Sequence, residues 1–329
     1  METLQQSKRH FSKLGWMLFL GALLCFVTQY LPVRLVQQLS PGLLEDSNLS
    51  LIISMLPLYL FGMPLMAFLI RRLPADRIAV HKLNIRQWLL AFCICYGLMY
   101  VSNLMGIFTT EIIGILKGSA VENVVAELVA ELSPWAAVPF MVVLAPIFEE
   151  YIFRKLIIDR TIHYGEGIAI VVSAFLFALF HGNLNQFAYA FVLGLFWGFL
   201  YAKTGSVKYT IWMHMCINFL GSVPGMLMMR SEAYQGILTL ASADDLQQLA
   251  LFLSEHVAEL ILFMGYSLAI IIFALSGIVL FFINLKKMRL NSGEIVLPKG
   301  QRFRTVILNL GMLFNIGFWG VQIILQLFR

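Results

Sequence analysis

Pro146–Arg160 reads PIFEEYIFRKLIIDR, and it holds the charges around which the rest of the chain is read. Two adjacent glutamates, Glu149 and Glu150, interrupt a run that is otherwise apolar from Trp135 onward. An ionised side chain at the centre of a bilayer costs at least about 2.5–3.5 kcal/mol, so charges there are paired or functional. On a helix, Glu150 and Arg154 stand four apart with the acid first, the favourable order for an ion pair. Glu149 is turned about 100° from Glu150 and need not share the arginine. One glutamate therefore reads as structural support, and the other as free for chemistry.

The surroundings of this stretch are those of a membrane protein. Of 329 residues, 60% are hydrophobic and 12% charged, which no ordinary soluble domain matches. The net charge of +5 comes from Lys and Arg in short loops between apolar spans. Loops of that kind orient a chain in a bilayer and argue against nucleic acid as a partner. Cys25, Cys93, Cys95 and Cys216 all fall in apolar runs and read as buried free thiols, with no disulfide or zinc framework. The first apolar run ends in Gln29, Tyr30, Leu31 and Pro32, a poor small-residue cleavage site, so it reads as a retained span.

The length rule for membrane helices predicts nine spans, near 14–31, 49–70, 88–116, 135–157, 166–182, 187–202, 207–229, 259–284 and 305–328. The fold class is all-α, a polytopic bundle. It divides into an N-terminal region 1–134, a core 135–229 of four helices, and a C-terminal loop with two spans, 230–329. Basic loops, such as Arg71–Arg86 and Lys203–Lys208, alternate with acidic ones holding Glu45 and Asp46, or Glu232, Asp244 and Asp245. The excess of positive charge puts the N-terminus in the cytoplasm and the C-terminus outside. Residues 236–258 have helical apolar spacing and read as a surface helix.

Two later spans carry polar pairs at helical spacing, Phe177 with His181 and His214 with Asn218. Cys216, two residues from His214, faces nearly the opposite way, which argues against a cysteine nucleophile. A carboxylate beside an imidazole can hold and deprotonate water. A second histidine and an amide can donate to a developing oxyanion. Glu149, His181 and His214 could equally bind zinc and leave one position open for water. Buried Glu and His side chains also relay protons in transporters, which is the non-hydrolytic alternative. Asn183 and Asn185, just after His181, read as polar loop residues at the membrane edge.

At these residues the sequence resembles a known family. Glu149-Glu150-Tyr151-Ile152-Phe153-Arg154 fits EExxxR, Phe177–His181 fits FxxxH, and His214–Asn218 fits HxxxN. In this order they are the motifs of the CPBP intramembrane proteases, which include the type II CAAX prenyl endopeptidases and bacteriocin-processing or immunity proteins. The resemblance covers about residues 140–222. It implies an endopeptidase in which Glu149 and His181 activate water while His214 and Asn218 stabilise the oxyanion. Glu150, Arg154 and Phe177 would support that site. Its substrate would be a membrane-associated protein or peptide. Family members are described both as metalloproteases and as metal-free glutamate proteases. The asparagine and second histidine favour the metal-free form, with zinc on Glu149, His181 and His214 as the alternative. Short loops without an accessory domain suggest a bacterial plasma-membrane protein. A self-immunity scaffold without peptidase activity is the other family role.

Overall fold

In the computed structural model, which describes residues 3–242 and 246–328, the chain is all-helical, with no strand among the described residues. Among the described residues, eight helices are long and apolar enough to cross a membrane. They are α1 (Leu4–Leu39), α2 (Ser47–Ile70), α3 (Ile85–Lys117), α4 (Pro134–Ile158), α6 (Leu184–Thr204), α7 (Val207–Met229), α8 (Val257–Lys287) and α9 (Leu310–Leu327). The remaining expected span is the shorter apolar helix α5 (Glu166–Phe180). Its 15 residues reach only about 22 Å at 1.5 Å per residue.

Helices α4 to α7 surround one another, with α3 packed along α6 and α2 along α4. Helix α1 pairs with α2 and α9, and α8 packs along α3. The seam between α5 and α6 is set by glycines. A Cβ at Gly194 would stand 2.9 Å from the Ala174 Cα, and one at Gly198 3.2 Å from an Ile170 methyl. Small residues let the backbones approach at this depth. Gly205 then ends α6 at φ +60° beneath the backbone of Ala79, where a side chain has neither the conformation nor the room.

One end of the core bundle is tied together by buried polar groups. Arg160 donates from Nε to the Ile70 carbonyl at 2.7 Å and from Nη1 to that of Leu156 at 3.0 Å. Tyr201 donates to Asp159 at 2.6 Å. Glu166, at the start of α5, pairs with Lys203 at 2.5 Å and accepts from the Asn291 backbone at 2.7 Å. Segment 291–295 thereby straps across the turn before α5. At the other end, the amphipathic stretch expected at 236–258 is two helices, Glu232–Ser242 and Leu246–Glu255. Asp244 and Asp245 lie outside the described residues.

Candidate active site

Helix α4 is not a regular α-helix, and its irregularity shapes the site. It begins with Ser133 at the N-cap and Pro134 in the first turn, where a missing N–H costs nothing. Val138–Leu144 and Glu150–Ile158 are π-helical, on either side of the short α-helical piece Ala145–Glu149. Widened turns of this kind recur at functional sites. In the first stretch the Ala145 N–H donates to the Phe140 carbonyl. The same step from Met141 would need an N–H from residue 146, which is proline and has none. The Met141 carbonyl instead accepts from Asn218 Nδ2 at 2.8 Å. Pro146 thus creates the acceptor that ties α4 to α7.

Below this tie, Glu149 and Glu150 part company as their spacing requires. Glu150 is fully buried and lies 3.2 Å from Arg154 Nη2, which is also fully buried. The guanidinium face lies over the Phe177 ring at 4.2 Å and near Trp197 at 5.5 Å. The flat, weakly hydrated arginine suits such a slot, where a lysine would not. The same Glu150 oxygen, Oε1, takes a hydrogen bond from His214 Nδ1 at 3.1 Å. Glu150 is therefore more than the structural partner of Arg154: it also orients a histidine of the candidate site. Glu149, by contrast, is partly exposed to the cavity, and its Oε2 lies 3.8 Å from His214 Nε2.

The two histidines are held alike. His181 follows the last residue of α5, and its Nδ1 stands 2.9 Å from the Phe177 carbonyl. A carbonyl only accepts, so Nδ1 carries the proton and Nε2 keeps its lone pair. At His214 the paired carboxylate of Glu150 fixes Nδ1 as the donor in the same way, and Trp197 stacks on the ring at 4.3 Å. Both rings thus keep Nε2 free of the protein's own hydrogen bonds. The turn that carries His181 is locked by Asn183, which donates to the His181 carbonyl at 2.9 Å and caps α6 by accepting from the Gln186 N–H. Asn183 and Asn185 are consequently buried, not polar residues of the membrane edge. The tight turn between α5 and α6 pulls both inward.

Glu149, His181, His214 and Asn218 all line one cavity of about 250 Å³. Its remaining wall is largely apolar, with Leu51, Met55, Leu58 and Met63 from α2 and Leu128 from the short helix Val124–Glu131. Sequence reasoning missed Tyr59, Gln186, Tyr189 and Trp197 on this wall; none sits in a polar pair or charge pattern that would single it out. Among the described residues no three His, Cys, Asp or Glu side chains form a group able to hold a metal ion.

A polytopic helical membrane protein with a polar site sunk inside its bundle is the class these features define. Residues 131–220 match the family model described as Type II CAAX prenyl endopeptidase Rce1-like. The matched region contains Glu149, Glu150, Arg154, His181, His214 and Asn218. Over 90 residues the chain is 31% identical to YdiL of Bacillus subtilis (strain 168), whose name proposes a membrane peptidase. The aligned part is 25% of this chain and 36% of that protein, so the chain spans about a third of the length of that curated relative. No solved structure matches the chain.

Proposed function

We propose that the protein is an intramembrane endopeptidase that cuts a membrane-associated protein or peptide by metal-free hydrolysis. The observation that carries this reading is the meeting of Glu149, His181, His214 and Asn218 on one cavity inside the bundle. Glu149 acts as the general base on a water that also donates to His181 Nε2. The oxyanion is met by the second N–H of Asn218, the first being held by Met141, and by His214 once Nε2 is protonated. Glu150, accepting from Nδ1, holds that ring in place. The proton taken from water returns through Glu149 to the leaving amine, so the base of the first step is the acid of the second.

The competing reading is a proton relay through Glu149, His214 and Glu150. That line of groups ends at Arg154, walled by Phe177 and Trp197, which supports an enclosed site over a path. The basic loops support a cytoplasmic N-terminus. The test is mass spectrometry of membrane peptides from cells making the wild type or Glu149→Ala at equal levels. New peptide ends confined to the wild type are expected. Identical peptide sets would remove the endopeptidase reading.

A further inference from the structure

Helix α2 lies outside the matched region 131–220, yet it builds one wall of the cavity that holds Glu149. Leu51, Met55, Leu58 and Met63 make that wall apolar, and Tyr59 adds a hydroxyl to it. Tyr59 sits in the π-helical stretch Leu58–Gly62, a widened turn of the kind that recurs at functional sites. Its ring stacks on Phe148, the neighbour of Glu149, at 5.6 Å and 27°, and on Phe140 at 6.4 Å and 23°. The ring is therefore held by α4, the helix that carries the proposed base.

The hydroxyl of Tyr59 is the unusual group. The residue is only 8% exposed, and its oxygen has no hydrogen-bond partner among the described residues. It is nonetheless not one of the sealed atoms, as Trp197 Nε1 is, and the cavity reaches the residue. The hydroxyl of Tyr189, also on this lining, is already engaged as the acceptor for Gln186 Nε2 at 2.6 Å. A phenylalanine at 59 would stack on Phe140 and Phe148 equally well, and an unpaired hydroxyl in so buried a place is costly. The oxygen calls for a partner that enters the cavity from outside the chain.

We propose that Tyr59 is a substrate-binding residue whose O–H donates to a backbone carbonyl of the peptide beside the scissile bond. This rests on the endopeptidase reading. A peptide cut inside a bilayer leaves helical hydrogen bonding around the cut, and each carbonyl so freed needs a donor where bulk water supplies none. Asn218 and His214 serve the scissile carbonyl, so a neighbouring one must find another donor. A phenol donates more readily than it accepts, which suits Tyr59 to a carbonyl. Around that bond, Leu51, Met55, Leu58 and Met63 would receive apolar side chains of the same stretch of peptide.

The experiment uses the full chain in phosphatidylethanolamine–phosphatidylglycerol vesicles and a mixture of apolar peptides, with cleavage positions read by mass spectrometry. The best-cut peptide is then remade with one flanking peptide bond at a time as a thioamide, which keeps the N–H and weakens the acceptor. Tyr59→Phe keeps the ring and removes the hydroxyl. It should raise KM about threefold to tenfold with little change in kcat, as for lost uniform binding. One thioamide beside the cut should raise the wild-type KM, and Tyr59→Phe should no longer respond to it. The melting temperature of Tyr59→Phe should match the wild type, since the hydroxyl holds no part of the fold. A wild-type KM in Tyr59→Phe would mean that the hydroxyl meets only water, and overturns the proposal. So does a fall in kcat alone, a thioamide response that survives in Tyr59→Phe, or a variant that melts earlier or fails to fold. No cleavage by the wild type, or undiminished cleavage by Glu149→Gln, overturns the endopeptidase reading and the proposal with it.

Discussion

His214 Nδ1 lies 3.1 Å from Glu150 Oε1, the same oxygen that faces Arg154 Nη2 at 3.2 Å. A single buried oxygen therefore joins the ion pair inside α4 to the imidazole of α7. Glu150→Gln should act on both. Removing one partner of a buried pair typically costs about 3–5 kcal/mol, so the yield of folded protein and the melting temperature should fall. The protein that does fold should also lose at least about tenfold in kcat, since a carboxylate that fixes an imidazole's tautomer is worth up to about 10⁴ in the best-studied case. Activity per folded molecule, measured beside thermal unfolding, separates the two effects. Undiminished activity per molecule would return Glu150 to a purely structural role.

Asn218 has one N–H committed to Met141 at 2.8 Å, and in the proposed reaction the other donates to the oxyanion. Asn218→Ala should lower kcat by about 10²–10³ with little change in KM, the signature of a donor used in the transition state. Steady-state kinetics on a quenched peptide would reveal it. A change confined to KM would mean that Asn218 only holds substrate.

Much of this site could be read along the chain, because its members come as helical neighbours. Glu150 with Arg154, Phe177 with His181 and His214 with Asn218 are i, i+4 pairs, and that spacing survives in the fold. The apolar runs were legible by their length, though α5 is too short to be counted by length alone. Contacts between distant residues were not legible. Glu150 and His214 are 64 positions apart, and no periodicity links them. The bond from Asn218 to Met141 depends on a π-helical turn that leaves a carbonyl opposite Pro146, a local distortion that an ideal helix of 3.6 residues per turn does not contain. Asn185 read as a loop residue because its burial is imposed by the turn between α5 and α6, not by its neighbours in sequence.

The seam between α5 and α6 offers a test of the fold itself. A Cβ at Gly194 would come within 2.9 Å of the Ala174 Cα, a backbone atom that cannot step aside. Gly194→Val should destabilise the protein by about 1–3 kcal/mol, as overpacking does, and lower its melting temperature in detergent. An unchanged melting temperature would mean the helices are not in contact there.

Activity should survive exhaustive chelation, because the proposed chemistry needs only Glu149, the two imidazoles and the Asn218 amide. Assaying purified protein after chelator treatment, with elemental analysis of the same sample, checks this. Loss of activity restored by stoichiometric zinc would overturn the metal-free reaction.

The most direct test of Glu149 as the base is the initial cleavage rate of Glu149→Gln against wild type in the same vesicles, on the same quenched peptide. Glutamine keeps the size of the side chain and removes its basicity. Positioned proton transfer contributes about 10²–10⁴ to rate, so a fall of that size at matched folded protein is the expected result. Cleavage by Glu149→Gln at the wild-type rate would contradict the account.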